Sequence, residues 1–376
     1  MRVLHAYRTY FPDTQGGVEE TIRQICLNTQ PCGVQSRVLA LSPDAQPATL
    51  EREEAEVHRV RRHAEVASCT MSLAAPAAMR RMVRMTDVVH YHFPWPFGDM
   101  LHFGVGVQRP AVLTYHSDIV RQRLLEPVYR PLMNRFLGAV ERIVCTSPHY
   151  LASSPVLARL KGKVDVIPIG LTPSSYPDVD EDCLAATRAQ FGSGFFLYVG
   201  VLRYYKSVHV LLDAMQGAPF RAVVAGEGPE GPALRRQATR LGLDNVTFAG
   251  RVSDETKVAL LRLCRALVFP SAMRSEAFGV TLLEAAMQGR PMISTEQGTG
   301  TSYVNLHGKT GLVVTPGSPP ALREAMDRLH ADPATARAMG ARARRRFDQE
   351  FTGEMMGERY ARVYRELASR QARLAG

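Results

Sequence analysis

Within the stretch RSEAFGVTLLEAAMQGRPMIST, Arg274 to Thr295, two glutamates, Glu276 and Glu284, stand eight residues apart on either side of a Phe278–Gly279 pair. On one regular helix, eight steps of about 100° would leave them roughly 80° apart, a poor alignment for joint work on one ligand. A helix beginning near Gly279 resolves this. Glu276 then stays in the preceding loop, Glu284 lies on the helix, and the amides around Phe278, Gly279 and Val280 point at an anion that glycine lets approach. One carboxylate can grasp hydroxyls on one side of that anion and the other can grasp hydroxyls on its far side, which describes a nucleoside diphosphate sugar. Two carboxylates also serve as acid and nucleophile in glycoside hydrolysis, but that reaction has no use for the cations and glycines found elsewhere in the chain.

Those cations are Arg203 and Lys206 in FFLYVGVLRYYKS, placed after an apolar run and Gly200; a guanidinium and an ammonium together suit a pyrophosphate. VVAGEGPEGPALRRQA supplies Gly226, Gly228 and Gly231 before another helix. FAGRVSDETKVALL carries Val252, Asp254 and Lys257. Asp254 suits either a helix N-cap or an acceptor for a base edge, with Lys257 one turn on. Near the N-terminus, Gly16–Gly17 precede a helix expected from Val18. They let backbone approach a ligand at a helix start, although a tight turn explains them equally well. His116 comes immediately after the apolar run of AVLTYHSD. That position sets it apart from His90 and His92, which read as structural.

The elements that position these residues follow from the apolar runs. RVLHAY, SRVLALS, DVVHYH, AVLTYHS, RIVCTS and KVDVIPIG form a first series, and FFLYVG, FRAVVAG, NVTFAG, ALVFPS, PMIST and GLVVTP a second. Nearly continuous apolar runs alternating with helical segments suit parallel strands buried on both faces. IGLTPSSYPDVDED, rich in Pro, Ser and Asp, reads as a linker between the series. The expected architecture is α/β, with two Rossmann-like doubly wound domains facing across a cleft. Residues 1–170 form the first domain, 171–355 the second, and a terminal helix, 356–376, crosses back to the first. Open parallel sheets bind ligands beyond the C-terminal ends of their strands, where the residues above lie.

Composition narrows the setting. A chain of 376 residues suits two domains. The six cysteines form no C-x-x-C pair and no zinc or disulfide spacing, so reduced thiols are expected. MRVLHAYRTYF runs straight into a strand without a leader, and the most apolar window, Val88 to Val107, is broken by His90, His92, Asp99 and two prolines. A cytoplasmic location is therefore expected. The net charge of +10 permits nucleic acid, an acidic membrane face or a phosphorylated ligand. No interleaved aromatic and basic reading motif is present, so nucleic acid is not an expected partner.

Taken together, these residues resemble the retaining glycosyltransferases of family 4, which have the GT-B fold. The E-x7-E element from Glu276 to Glu284, Gly16–Gly17, His116 and the cation loop from Gly200 to Lys206 occur in the family's order across nearly the whole chain. The resemblance implies that Glu284 binds ribose hydroxyls, and that Glu276 with the Phe278–Val280 amides binds the transferred sugar. Arg203 and Lys206 would hold the pyrophosphate and stabilise the departing diphosphate, and His116 would line the sugar site. It also implies transfer with retention, no metal and no cofactor. The family's cation loop commonly reads G-R-L-x-x-x-K-G; here Val201 takes the arginine's place, Arg203 comes two residues later, and Ser207 replaces the final glycine.

VGVLRYYKS and STEQGTGTSYVNLHGKTGLVV are more narrowly similar to bacterial mannosyl- and D-rhamnosyltransferases of lipopolysaccharide O-chain synthesis. That similarity implies a GDP-sugar donor, with Val252, Asp254 and Lys257 at the base, and a polyprenyl-diphosphate-linked saccharide as acceptor. An acceptor on a lipid explains a basic enzyme visiting the cytoplasmic face of the inner membrane. The segments Ala77–Met85 and Arg121–Arg142 mix cations with apolar residues as such a surface requires; helices packed on their own sheet with exposed arginines read equally well. A sugar-nucleotide epimerase on the same fold and a UDP-sugar-dependent transferase are the competing activities.

Overall fold

The computed structural model describes residues 1–66, 68–119 and 126–375. It divides into two compact units, Met1–Gly170 with Gly353–Gly376, and Leu171–Thr352.

The first unit contains β1 (Arg2–Ala6), β2 (Gln35–Ser42), β3 (Thr49–Glu51), β4 (Glu56–Arg61), β5 (Ala64–Val66), β6 (Cys69–Met71), β7 (Val88–Phe93), β8 (Ala111–Tyr115), β9 (Arg142–Cys145) and β10 (Val164–Val166). Its main sheet runs β10-β9-β8-β7-β1-β2-β4-β3, and β5 pairs only with β6. Pairing in the main sheet is parallel except where β3 runs against β4, and β5 pairs with β6 antiparallel. The central strands are buried along their whole length, β7 and β8 at every residue, as continuous apolar runs require. The terminal helix Gly353–Ala375 packs on helix Gly17–Thr29 and buries Tyr360 and Tyr364.

The second unit is a six-stranded parallel sheet of β11 (Phe196–Val199), β12 (Ala222–Ala225), β13 (Val246–Gly250), β14 (Ala266–Phe269), β15 (Met292–Thr295) and β16 (Gly311–Val314), in the order β13-β12-β11-β14-β15-β16. From β11 the chain winds outward through β12 and β13, then returns to the other side of β11 to lay down β14, β15 and β16. In the first unit it likewise winds from β1 to β4 and returns to lay β7 beside β1. Each unit therefore has a topological switch point, between β11 and β14 in one and between β1 and β7 in the other. Loops leaving the C-terminal ends of such paired strands diverge and leave room for a ligand.

The twelve apolar runs of the sequence all become strands, but β3 to β6 were not expected. Residues 49–71 are dense in charge, and β4 alternates instead of running apolar: Val57 is fully buried while its neighbours Glu56 and His58 are only half so. Arg59 is also buried, held by Asp13 at 2.7 and 3.1 Å and by the carbonyl of Gln46 at 2.8 Å. A buried arginine satisfied from a distant loop breaks the apolar pattern on which strand recognition depends. All six cysteines are free thiols.

Candidate functional site

The loop leaving β11 carries the cations. After Gly200 it forms one short 3-10 turn, Tyr204–Lys206, and enters helix Val208–Ala214 through Ser207. The loop rests on the one leaving β12: Leu202 N donates to Glu227 O at 2.9 Å and Glu230 N donates to Leu202 O at 3.0 Å. Lys206 is thereby aimed inward. Its Nζ donates to Glu276 Oε2 and lies 4.9 Å from the centroid of the Phe269 ring at the end of β14. Both partners of this ion pair are largely buried, with side chains 14% and 12% exposed. Burial alone would favour the neutral amine, but the charge of Glu276, aided by Tyr205, outweighs it and raises the Lys206 pKa above the ordinary lysine value. Arg203 is exposed at the start of the turn, close enough for its charge to oppose that rise.

Lys206 and Glu276 thus come from the two loops that flank the switch point, after β11 and after β14. Glu276 sits in the loop, and helix Val280–Met287 begins four residues later with Gly279 as its N-cap at φ 87°. A side chain at Gly279 would be strained by that left-handed backbone and would press on Leu282 Cδ1 at 2.9 Å. No side chain caps this helix start, so its amides remain available as anion donors. Phe278 is buried and Val280 half-buried beside it.

Glu284 lies on the same helix, 6% exposed, and accepts from Lys257 Nζ at 2.9 Å. Lys257 also reaches Asp254 Oδ1 at 3.0 Å. Burial works against its charge, but Glu284 and then Asp254 more than compensate, and its pKa is raised. The helix after β13 is capped by Ser253, whose hydroxyl accepts from Thr256 N at 3.2 Å. Asp254 is therefore the first helical residue and not the cap, and its carboxylate is turned to Lys257. Val252 is half-buried in the turn before it. Each of the two ion pairs engages one oxygen of its glutamate, leaving the other to accept from a ligand hydroxyl.

In the first unit, Gly16 is the extended N-cap of helix Gly17–Thr29, at φ −154°, so the helix starts one residue before Val18. The Glu19 carboxylate lies 2.7 Å from where a Cβ of Gly16 would stand and accepts from Thr9 Oγ1 at 2.6 Å. His116 follows β8; its N donates to Phe93 O at 3.0 Å and its Nε2 lies 3.0 Å from His92 Nδ1. His92 Nε2 is in turn 3.1 Å from His5 Nδ1. The sequence leaves His92 and His5 as structural residues, and the fold brings both into line with His116. The signal that could have found them is the H-x-H of β7 beside a histidine of β1, since residues two apart share a sheet face.

Where the family pattern has glycine, Ser207 adopts φ 52° and ψ 37°, the left-handed region in which an L-residue costs roughly 1–2 kcal/mol. The departure in sequence leaves the backbone shape that glycine serves. Ser207→Gly is expected to leave thermal stability nearly unchanged, since relief of strain offsets the added freedom of the unfolded chain. Ser207→Val, β-branched in the same conformation, is expected to lose about 2 kcal/mol. Denaturation in which valine proves as stable as glycine would contradict this account of the turn.

Comparison with known proteins follows the same division. Residues 15–175 match the family described as Glycosyltransferase Family 4 and residues 185–346 match Glycosyl transferases group 1. The chain is 51% identical to the D-rhamnosyltransferase WbpZ of Pseudomonas aeruginosa over 352 residues, 94% of this chain and 92% of that protein. It is 43% identical to the O-antigen chain mannosyltransferase C of Escherichia coli over 369 residues, 98% and 99% of the two chains. Among solved structures, Anabaena HepE in complex with UDP and glucose superposes with a TM-score of 0.80 at 19% identity, covering 97% of this chain and all of that one. At that identity the likeness speaks for the fold.

Proposed function

The chain belongs to glycosyltransferase family 4, with the two Rossmann-like domains of the GT-B fold, and from that premise we propose that it moves D-rhamnose or mannose from a GDP-sugar, with retention, onto a polyprenyl-diphosphate-linked saccharide of an O-polysaccharide. The names of the two relatives support the sugar and the pathway class. The observation that carries the reading is the pair of buried Lys–Glu contacts, Lys206–Glu276 between loops and Lys257–Glu284 between helices that follow strands of one sheet, beside an uncapped helix start.

In this reading the diphosphate lies against Lys206, Arg203 and the Phe278–Val280 amides. Two or more phosphate charges outbid a single carboxylate for Lys206, so binding transfers the ammonium from Glu276 to the ligand and leaves Glu276 to accept from sugar hydroxyls. As the bond from the anomeric carbon to the diphosphate oxygen breaks, its electron pair stays on that oxygen, where the cations and amides stabilise it. The acceptor hydroxyl attacks the same face and gives its proton to the departing diphosphate. The protein then supplies neither a nucleophile nor a metal ion. Glu284, steadied by Lys257, takes the ribose hydroxyls. Gly16 and Gly17 let backbone approach the ligand, and His116 keeps the place at the sugar site that the family resemblance implies.

Asp254 supports guanine. Its side chain is about half exposed, with Oδ1 3.0 Å from Lys257 Nζ, and a solvent-facing carboxylate is the acceptor that the N1 and N2 hydrogens of guanine require, a donor edge absent from uracil. Calorimetry is expected to show GDP binding at least about tenfold more tightly than UDP or ADP, the worth of one charge-assisted hydrogen bond. Asp254→Ala should abolish the preference; equal binding of GDP and UDP would exclude the guanine assignment and favour a UDP-sugar donor.

The membrane-facing segments contribute charge more than apolar area. Helix Ala75–Arg84 buries Ala78, Met79, Met82 and Val83 in its own unit and exposes Arg80, Arg81 and Arg84. Helix Glu126–Ala139 likewise buries Met133, Phe136 and Leu137 and exposes Arg130 and Arg135. Arg121 and Arg123, part of the same basic segment, lie outside the described residues. Among the described residues no helix is long and apolar enough to cross a membrane. Attraction of about 1 kcal/mol per cation near an anionic surface is screened by salt, so transfer to a lipid acceptor in anionic vesicles, followed by mass spectrometry, should fall as salt rises. The same experiment without acceptor separates transfer from epimerisation, which would alter the GDP-sugar alone.

A further inference from the structure

Four imidazoles share one face of the first unit's sheet, and only His116 has a part in the reading above. His5 of β1 is in register with His90 of β7, His92 lies two residues beyond His90, and His116 follows β8. Two hydrogen-bonded chains run through them. In one, His90 Nδ1 lies 2.7 Å from the Tyr364 hydroxyl and its Nε2 2.7 Å from Thr114 Oγ1, which is 2.9 Å from the Tyr360 hydroxyl. In the other, His5 Nδ1 meets His92 Nε2 at 3.1 Å and His92 Nδ1 meets His116 Nε2 at 3.0 Å.

His5, His90 and His92 are close enough together to suggest a shared cation, but their rings argue otherwise. His90 and His92 stack with centroids 4.3 Å apart, and His5 and His92 meet edge to edge, Nδ1 to Nε2 at 3.1 Å, so that pair of nitrogens is already spent on each other. Stacked rings send their in-plane lone pairs past one another, and both nitrogens of His90 are already engaged.

The chain through His92 has a direction. All three rings are buried; burial pushes His5 and His116 down to about 3 and His92 well below the ordinary histidine value, so they are neutral near pH 7. A neutral imidazole has one N–H and one lone pair. His92 uses both nitrogens, so if it donates from Nδ1 it accepts at Nε2, and all three rings share one sense. Donation toward His116 leaves His5 Nε2, which is buried without a partner among the described residues, as a bare lone pair. The opposite sense would place there a buried N–H with no acceptor, the rarer defect.

We infer that His5 and His92 are positioning residues that hold His116 in the tautomer with its proton on Nδ1, so that His116 meets the ligand as a hydrogen-bond donor and not as a general base. This rests on the reading that His116 lines the sugar site. A fixed N–H suits a sugar hydroxyl or phosphate oxygen, and a proton already in place leaves Nδ1 unable to take one from the acceptor. That is consistent with a leaving diphosphate serving as the proton's destination.

Long-range proton–nitrogen correlation spectra of the full-length protein labelled with 15N-histidine read these tautomers directly. His5, His92 and His116 are each expected as the Nδ1–H form, without titrating between about pH 6 and 8. An Nε2–H or imidazolium pattern at any of the three overturns the proposal. His5→Asn, whose amide nitrogen stands in for Nδ1 as donor, should keep the His116 pattern and kcat. His5→Leu should shift the pattern and lower kcat about tenfold, the worth of one buried hydrogen bond. Equal loss in the two variants, or no loss in either, also counts against it. If His116→Ala leaves kcat/KM unchanged, the assignment of His116 to the sugar site fails instead, a failure the spectra distinguish because they need no ligand.

Discussion

Lys206→Met is expected to lower kcat/KM by about 10²- to 10³-fold, the cost of removing one preorganised charge from a developing anion, and to weaken GDP binding in parallel. Two effects act together. The diphosphate loses its buried cation, and Glu276, only 12% exposed, is left without the partner that compensates its burial. Glu276→Ala is expected to behave differently. Removing the carboxylate frees Lys206 from a competitor, so GDP affinity should hold or rise slightly, while transfer collapses because the sugar hydroxyls lose their acceptor. Calorimetry with GDP beside steady-state kinetics tests the pair. Variants that lose nucleotide affinity and turnover to the same extent would show that the two residues do not divide the donor between phosphate and sugar.

The second large effect is on stability. Gly226→Ala is expected to cost at least about 3 kcal/mol and to lower the melting temperature by roughly 10 °C for a unit of this size. Gly226 follows β12 at φ 144°, a backbone region closed to L-residues, and a Cβ there would overlap the carbonyl oxygen of Gly200 and stand 2.9 Å from its carbon. The obstacle is the backbone of Gly200, so no side-chain rotation relieves it. Gly200 N also donates to Ala225 O at 3.0 Å, and Gly226 N to Gly250 O at 2.7 Å, which ties three strand ends to one point. The loop so anchored carries Lys206, and a variant that still folds is expected to show weakened GDP binding as well. Wild-type thermal unfolding of Gly226→Ala would refute this packing.

Much of the second unit is legible in the residues alone. Its strands are short apolar runs bounded by glycine, proline or charge; β11, β12, β14 and β15 are buried along nearly their whole length, as such runs require, while the edge strands β13 and β16 are partly exposed. The helix start at Gly279 follows from geometry: one helix cannot align Glu276 with Glu284, and a glycine between them offers the break. The left-handed Ser207, by contrast, could not be read from a serine, because that conformation is imposed by the turn between Lys206 and the next helix. The Ser253 cap was also missed, since Ser253 and Asp254 are both good capping residues and only the backbone path chooses between them.

What the sequence determined by itself is local: which runs are strands, where helices begin, and that cations and carboxylates follow strand ends. Partnership belongs to the fold as a whole. Lys206 meets Glu276 across 70 residues because β14 returns to lie beside β11, and Lys257 meets Glu284 across 27 where the helix after β13 meets the helix after β14; hydrophobic periodicity specifies a strand but not its neighbour. His5, His92 and His116 align for the same reason, β1, β7 and β8 being adjacent only after the chain has reversed its winding. Strand order is a property of the whole packed sheet, chosen by how the helices cover it, and no short segment carries that information.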